Sequence, residues 1–188
     1  PGSQGGKAAA KILFGENSPS GKLPVTFYES LEELPEFTDY SMKGRTYRYM
    51  EGKAQFPFGY GLTYSNVKVE NAEVRQCGRK ITVEAEVYNK GNADTEEVVQ
   101  VYVKNLDSKN AIPNPALGGF QRIFVKAGER RKVMVPVWEK AFTVVDENGK
   151  RVEDGRKYEI FAGCSQPDER SIELTGTEPV KIIWEKED

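Results

Sequence analysis

Apolar and polar residues alternate most regularly in the second two-thirds of the chain. Ile81, Val83, Ala85 and Val87 occupy every other position, with Thr82, Glu84 and Glu86 between them. That is the period-2 pattern of a strand with one buried face. Val99, Val101 and Val103 alternate with Gln100, Tyr102 and Lys104 in the same way, which predicts a second half-buried strand. Over 66–75 the apolar positions Val67, Val69, Ala72 and Val74 change phase at Asn71, so a bulged strand is expected there. Further strands are predicted at 119–125, 132–137, 142–145, 157–162 and 171–175. Turn residues separate them: Asn89-Lys-Gly-Asn92, Lys126-Ala-Gly128, Asp146-Glu-Asn-Gly149 and Glu153-Asp-Gly155. Roughly seven short strands without helical interruption predict an antiparallel β-sandwich.

The residues up to about 65 have a different texture, rich in glycine, proline and aromatic rings. The alanines and leucine of 7–14 favour a helix, and Gly15 suits its C-cap. Asn17-Ser-Pro-Ser-Gly21 reads as a turn, and 23–27 as a short extended segment that Pro24 confines to an edge or a strand start. Leu31-Glu-Glu-Leu34 predicts one helical turn, ended before Pro35. The chain contains no internal repeat. Ordering such a region costs roughly 1–2 kcal/mol per residue, and so few elements bury little apolar area in return. Phe14, Leu23, Val25, Phe27 and Leu34 therefore need a surface to pack on. The sandwich or a further domain could supply it, and the lopsided architecture favours a further domain.

Composition narrows the chemistry. With 188 residues the chain can bury a sizeable core. Its 27 basic and 29 acidic residues leave a net charge of −2, so no long-range field favours nucleic acid or an anionic membrane. No apolar run approaches the roughly 18 residues of a membrane span. The chain opens with Pro1-Gly-Ser-Gln-Gly-Gly6, which is neither a signal peptide nor a natural start. The compartment stays open, with a cytoplasmic setting expected ahead of a secreted one. The absence of histidine excludes a Ser-His-Asp triad and any His-containing zinc site. Cys77 and Cys164 lie outside any metal-ligand motif and are expected as unpaired, partly buried thiols, although a pairing stays possible.

Candidate chemistry concentrates in Gly44-Arg-Thr-Tyr-Arg-Tyr49 and Phe56-Pro-Phe-Gly-Tyr-Gly-Leu-Thr-Tyr64. Tyr47, Tyr49, Phe56, Phe58, Tyr60 and Tyr64 could form a platform on which sugar C–H faces stack, with Arg45 and Arg48 donating to hydroxyls. The alternative is that these rings wedge a domain junction while Gly59 and Gly61 allow sharp turns. The junction role is the preferred reading, and Arg45, Tyr47 and Tyr49 are the candidates for a peripheral contact with substrate. The acidic clusters Glu29/Glu32/Glu33/Glu36, Glu96/Glu97 and Asp146/Glu147 stand in polar contexts that predict solvated carboxylates. A glycosidase needs a pair about 5–10 Å apart across a sugar-sized cleft, one of them with a raised pKa. No catalytic residue, metal ligand or cofactor is therefore assigned. The glycine turn before the first helix is neither a dinucleotide fingerprint nor a P-loop, though Ser3 or Gln4 could approach a sugar there. Trp138 and Trp184 read as packing or terminal anchors.

Taken in order, these motifs resemble the C-terminal region of glycoside hydrolase family 3. The glycine turn, Ala8-Ala-Ala-Lys-Ile-Leu-Phe-Gly15 and Asn17-Ser-Pro-Ser-Gly-Lys-Leu-Pro-Val-Thr-Phe27 resemble the end of that family's α/β domain. The two aromatic motifs resemble the approach to its third domain, and Leu117-Gly-Gly-Phe-Gln-Arg-Ile123 and Tyr158-Glu-Ile-Phe-Ala-Gly-Cys-Ser165 resemble segments within it. The resemblance implies a mainly β chain: a fibronectin type III-like antiparallel sandwich over 66–188, an aromatic linker over 41–65, and over 1–40 the end of a larger α/β domain. It implies a parent enzyme with a TIM-like barrel carrying an aspartate nucleophile and a second domain often carrying the acid/base glutamate. Neither region is recognisable here; both would precede Pro1, or the barrel would follow in relatives with the reverse order. Cys164 stands where the family pattern suggests a small residue. The expected activity of the parent is retaining hydrolysis of terminal β-linked glucosyl residues, with this chain inactive alone. Its expected partners are the catalytic domains and, through them, a carbohydrate; no nucleic acid, membrane or cofactor is expected. A stand-alone carbohydrate-binding or adhesion module is the alternative, with Tyr47 or Tyr60 as the binding residue.

Overall fold

The computed structural model describes residues 2–187; Pro1, assigned above to the glycine turn, and Asp188 lie outside the described residues. In chain order the elements are α1 (Gly5–Leu13), β1 (Phe27–Tyr28), α2 (Thr46–Tyr49), β2 (Ala54–Phe56), β3 (Val67–Cys77), β4 (Lys80–Asn89), β5 (Thr95–Asn105), β6 (Ala116–Val125), β7 (Arg130–Val137), β8 (Val144–Val145), β9 (Arg151–Val152), β10 (Lys157–Gly163), α3 (Glu169–Thr175) and β11 (Val180–Glu185). Single 3₁₀ turns occur at Leu31–Glu33 and Glu139–Phe142. The strands after residue 66 form an antiparallel sandwich. One sheet runs β11-β10-β5-β6 and the other β3-β4-β7.

The alternating positions of the sequence meet between these sheets. Val83, Ala85 and Val87 from β4 and Val135 from β7 face Val99 and Val101 from β5 and Ile160 from β10, all fully buried. At one end of the core Phe142, Tyr158 and Trp184 cluster, with Phe142–Tyr158 centroids 5.1 Å apart and edge-to-face. The Tyr158 hydroxyl donates to the carbonyls of Phe142 and Gly155, and burial raises its pKa to about 12. The phase change in β3 is a bulge at Glu70: Val69 pairs with Val87, and Asn71 already pairs with Glu86. A second register shift falls at Gly118 in β6. Beside it, a Cβ on Gly119 would stand 2.2 Å from the Pro136 carbonyl oxygen, so the two sheets approach there too closely for a side chain.

Four local expectations are corrected. Residues 171–175 form not a strand but the helix α3; Asp168 caps it by accepting from the Ser171 N–H at 2.6 Å, and Gly176 ends it in the left-handed region. Residues 142–145 finish a 3₁₀ turn and leave a strand only two residues long. β11 was not expected, and it pairs along β10 from Lys157–Glu185 to Ala162–Val180. The expectation for β5 was one buried face, yet Gln100 and Tyr102 on its other face are buried as well.

Candidate functional site

What buries the second face of β5 is the aromatic segment at 44–64. Tyr47 follows Thr46, whose φ of 55° places a β-branched residue in the left-handed region. The Tyr47 ring stacks on Phe58 at 4.2 Å, and both rings stand edge-on to Tyr102. The Tyr47 hydroxyl accepts from the Leu117 N–H at 3.0 Å, and Asn114 donates to the carbonyls of Tyr47 and Met50. Burial holds the Tyr102 phenol well above its ordinary pKa, and its proton goes to Gln100 Oε1 at 2.6 Å. Gln100 Nε2 in turn donates to the carbonyls of Gly59 and Cys164, both at 3.0 Å. Gly59 has φ 76°, and a Cβ there would lie 2.2 Å from Gln100 Oε1.

Polar contacts extend this junction along the sheet. Lys22 reaches Glu97 at 2.6 Å, and Glu97 is only 3% exposed. The expectation of a solvated carboxylate at Glu97 is thereby corrected: the strand carries it inward, and the lysine of the preceding segment neutralises it. Ser18, Thr63 and Thr95 close a ring of hydroxyls at 2.7–2.8 Å. Leu23 and the 59–60 turn exchange backbone hydrogen bonds. Glu96 pairs with Arg122 at the surface, Glu147 pairs with Lys109, and Asp146 accepts from the N–H groups of its own turn.

The three substrate-contact candidates do not converge. Tyr47 is 8% exposed, with one face on Phe58. Arg45 donates to the carbonyls of Glu36, Asp39 and Ser41, tying down the loop ahead of it. The Ser41 N–H and hydroxyl hold the Asp39 carboxyl below its usual range, with the Arg45 charge adding to the effect. Tyr49 is half-buried and faces a different cleft, beside Arg48. Phe56 stacks on Tyr60 at 5.9 Å and is edge-on to Phe27. The Tyr64 hydroxyl donates to the Ile12 carbonyl, pinning α1. Cys77 and Cys164 are both free thiols, and burial pushes the Cys164 thiol far above its ordinary value. Among the described residues no group of three or more acidic, cysteine or histidine side chains could hold a metal ion, and no helix is long and apolar enough to cross a membrane.

A sandwich faced by a glycine- and aromatic-rich segment matches known proteins. Residues 1–64 match the model of the glycosyl hydrolase family 3 C-terminal domain, and 97–166 match a fibronectin type III-like domain. The chain belongs to glycoside hydrolase family 3. It is 41% identical over 181 residues to a xylan 1,4-beta-xylosidase of Xylanibacter ruminicola, covering 94% of this chain and 21% of that protein. It is 32% identical to a periplasmic beta-glucosidase of Salmonella typhimurium, covering 86% and 23%. The solved beta-glucosidase of Kluyveromyces marxianus superposes with a TM-score of 0.81 at 28% identity, over 97% of this chain and 23% of that one. The family 3 chain thus spans between a fifth and a quarter of these relatives, and it is a C-terminal segment of the family's architecture. The hub residues Lys22 and Gln100 were not singled out from sequence, and Glu97 was read only as part of a solvated acidic pair. The one visible signal for Glu97 and Gln100 is polar side chains set among the β-branched residues of β5, and Lys22 carries none.

Proposed function

We propose that this chain is the non-catalytic carboxy-terminal support of a larger family 3 glycosidase that hydrolyses terminal β-linked glucosyl residues, or similar pyranosides such as β-xylosides, with retention of configuration. The catalytic domains of that protein are its partners, and it meets a sugar only through them. Residues 1–40 end an α/β domain, 41–65 link, and 66–188 are the sandwich. The observation that carries the reading is the exposed apolar flank of the first region. Phe14, Leu31, Phe37 and Tyr40 are each more than 80% exposed, a surface that a self-sufficient domain does not leave to water. α1, which buries none of its residues, belongs to the same flank.

The test uses an aryl β-glucoside and an aryl β-xyloside. The isolated chain turns over neither, and the longer protein turns over at least one. Adding this chain to separately produced preceding domains restores activity and yields a particle of the combined mass. Turnover by the pure chain, abolished by a single carboxylate substitution, would overturn the reading.

A further inference from the structure

A cleft of about 820 Å³ opens between the 106–115 loop, the start of β6 and the turn after β7. It exceeds the clefts of 230 and 340 Å³ beside the junction and falls within the roughly 300–1,000 Å³ typical of ligand sites. Small apolar residues, among them Ala111, Ala116 and Ala141, line part of it, and the aromatic rings are Tyr49 and Trp138. Trp138 is 49% exposed and held edge-on against Phe120 at 6.0 Å, so it is a fixed ring with half its surface open.

The charges of this cleft are unbalanced. Arg48, Lys140 and Arg151 line it with a single carboxylate, Glu139. Among the described residues none of the three cations makes an ion pair. Arg151 Nη1 donates to the Thr143 hydroxyl at 2.9 Å, and Arg48 Nε donates to the Tyr47 hydroxyl at 3.5 Å. Each guanidinium therefore keeps further N–H donors, and a fork of such donors suits a carboxylate. Asn110 adds an amide group of the kind that binds hydroxyls, while the Asn105 amide is engaged with the Asp154 carbonyl and the N–H groups of Asp107 and Ser108.

The geometry points to this cleft as a binding site for an acidic β-linked oligosaccharide, a short chain of neutral pyranoses carrying a uronic acid. Trp138 stacks on a sugar face, Asn110 meets a hydroxyl, and Arg151 with Arg48 receives the carboxylate. The choice of a sugar chain rests on the glycosidase reading; the charge preference rests on the cleft alone.

The experiment is calorimetric titration of this chain with three probes: xylotriose carrying one glucuronic acid, neutral xylotetraose, and free glucuronic acid. The acidic oligosaccharide is expected to bind about tenfold more tightly than the neutral one, and the difference shrinks as salt rises. Arg151→Ala removes most of that difference. Trp138→Ala weakens both oligosaccharides by a similar factor, while Lys126→Ala, at an exposed turn outside the cleft, leaves both unchanged. Equal binding of the acidic and neutral oligosaccharides, no binding at all, free glucuronic acid binding as well as the oligosaccharide, or an Arg151→Ala chain that binds unchanged would each overturn the proposal. Hydrolysis by the longer protein without binding here would sink only the cleft assignment. Binding here without hydrolysis by the longer protein would sink only the glycosidase reading.

Discussion

The sandwich and the segment ahead of it answer the same physical demand in opposite ways. The sandwich closes on itself: Val83, Val87, Val99 and Val101 are fully buried between two sheets. The residues up to 65 have no core of their own. Several of their larger apolar side chains, such as Leu31, Phe37 and Tyr40, point to water, and beyond the Tyr47–Phe58 stack on Tyr102 their contacts with β5 are polar. Lys22–Glu97, the Ser18–Thr63–Thr95 ring and the Gln100 hub fix where the segment lies on β5. Directional contacts set position, and burial of area supplies most of the free energy. A segment held largely by the first kind, with apolar burial confined to its Tyr47–Phe58 face, is suited to a junction, with one side docked and the other available.

The largest expected effect separates the two regions directly. Tyr158→Ala empties a fully buried site and leaves Phe142 and Trp184 around a cavity, at a cost of about 3–5 kcal/mol in denaturant unfolding. Phe37→Ala, at a 93% exposed ring, shifts the same transition by less than about 0.5 kcal/mol. In the longer protein Phe37→Ala is expected to become costly, and equal tolerance there would break the comparison.

Next in size is the buried pair. Lys22→Met leaves Glu97 buried without a counter-charge and costs about 3–4 kcal/mol, whereas Lys22→Met with Glu97→Leu recovers most of that loss. A double variant no better than the single would mean that the pair does not act as a unit. Gly59→Ala puts a Cβ against Gln100 in a left-handed conformation, for a loss of about 2 kcal/mol. Hydrogen exchange should localise that loss to the 44–64 segment and β5, with β4 and β7 unaffected.

The smallest effect is a pH dependence at α3. Burial raises the pKa of Asp168 above its ordinary 3.8, outweighing the Ser171 contacts that lower it. Below 3.8 the group is protonated in both folded and unfolded chains. As pH climbs past 3.8 the unfolded chain releases this proton first, so stability falls until the folded value is passed. Asp168→Asn retains a capping oxygen and removes that decline, so its advantage over the parent chain should appear only as pH rises through this window. An advantage already present at pH 3 would show that the cap geometry, rather than the charge, is responsible.

The alternating runs that became β4 and β5 were legible because the face buried between the sheets imposes period 2 on the residues themselves. The bulge near Asn71 was legible for the same reason, as a break in that period. Residues 171–175 misled because Ile172 and Leu174 also alternate; Asp168 ahead of them and Gly176 behind were the cap signals of a helix. β11 was missed because Trp184 near the end of the chain read as an isolated anchor, when it is the last inward residue of a strand with Val180 and Ile182. At the candidate site the motifs themselves were legible, but their use was not. Tyr47 reads from sequence as a junction wedge ahead of a sugar platform, and only its stack on Phe58 shows what covers its ring.

By itself, then, the sequence determined the sandwich, most of its strand positions and the place of its sharp turns, since these follow from local periodicity and backbone permissiveness. Tertiary structure alone decided that β5 is buried on both faces, that Lys22 neutralises Glu97, and that Arg48, Lys140 and Arg151 line one cleft. Those facts join residues far apart in the chain, and no local pattern encodes a distance across a fold.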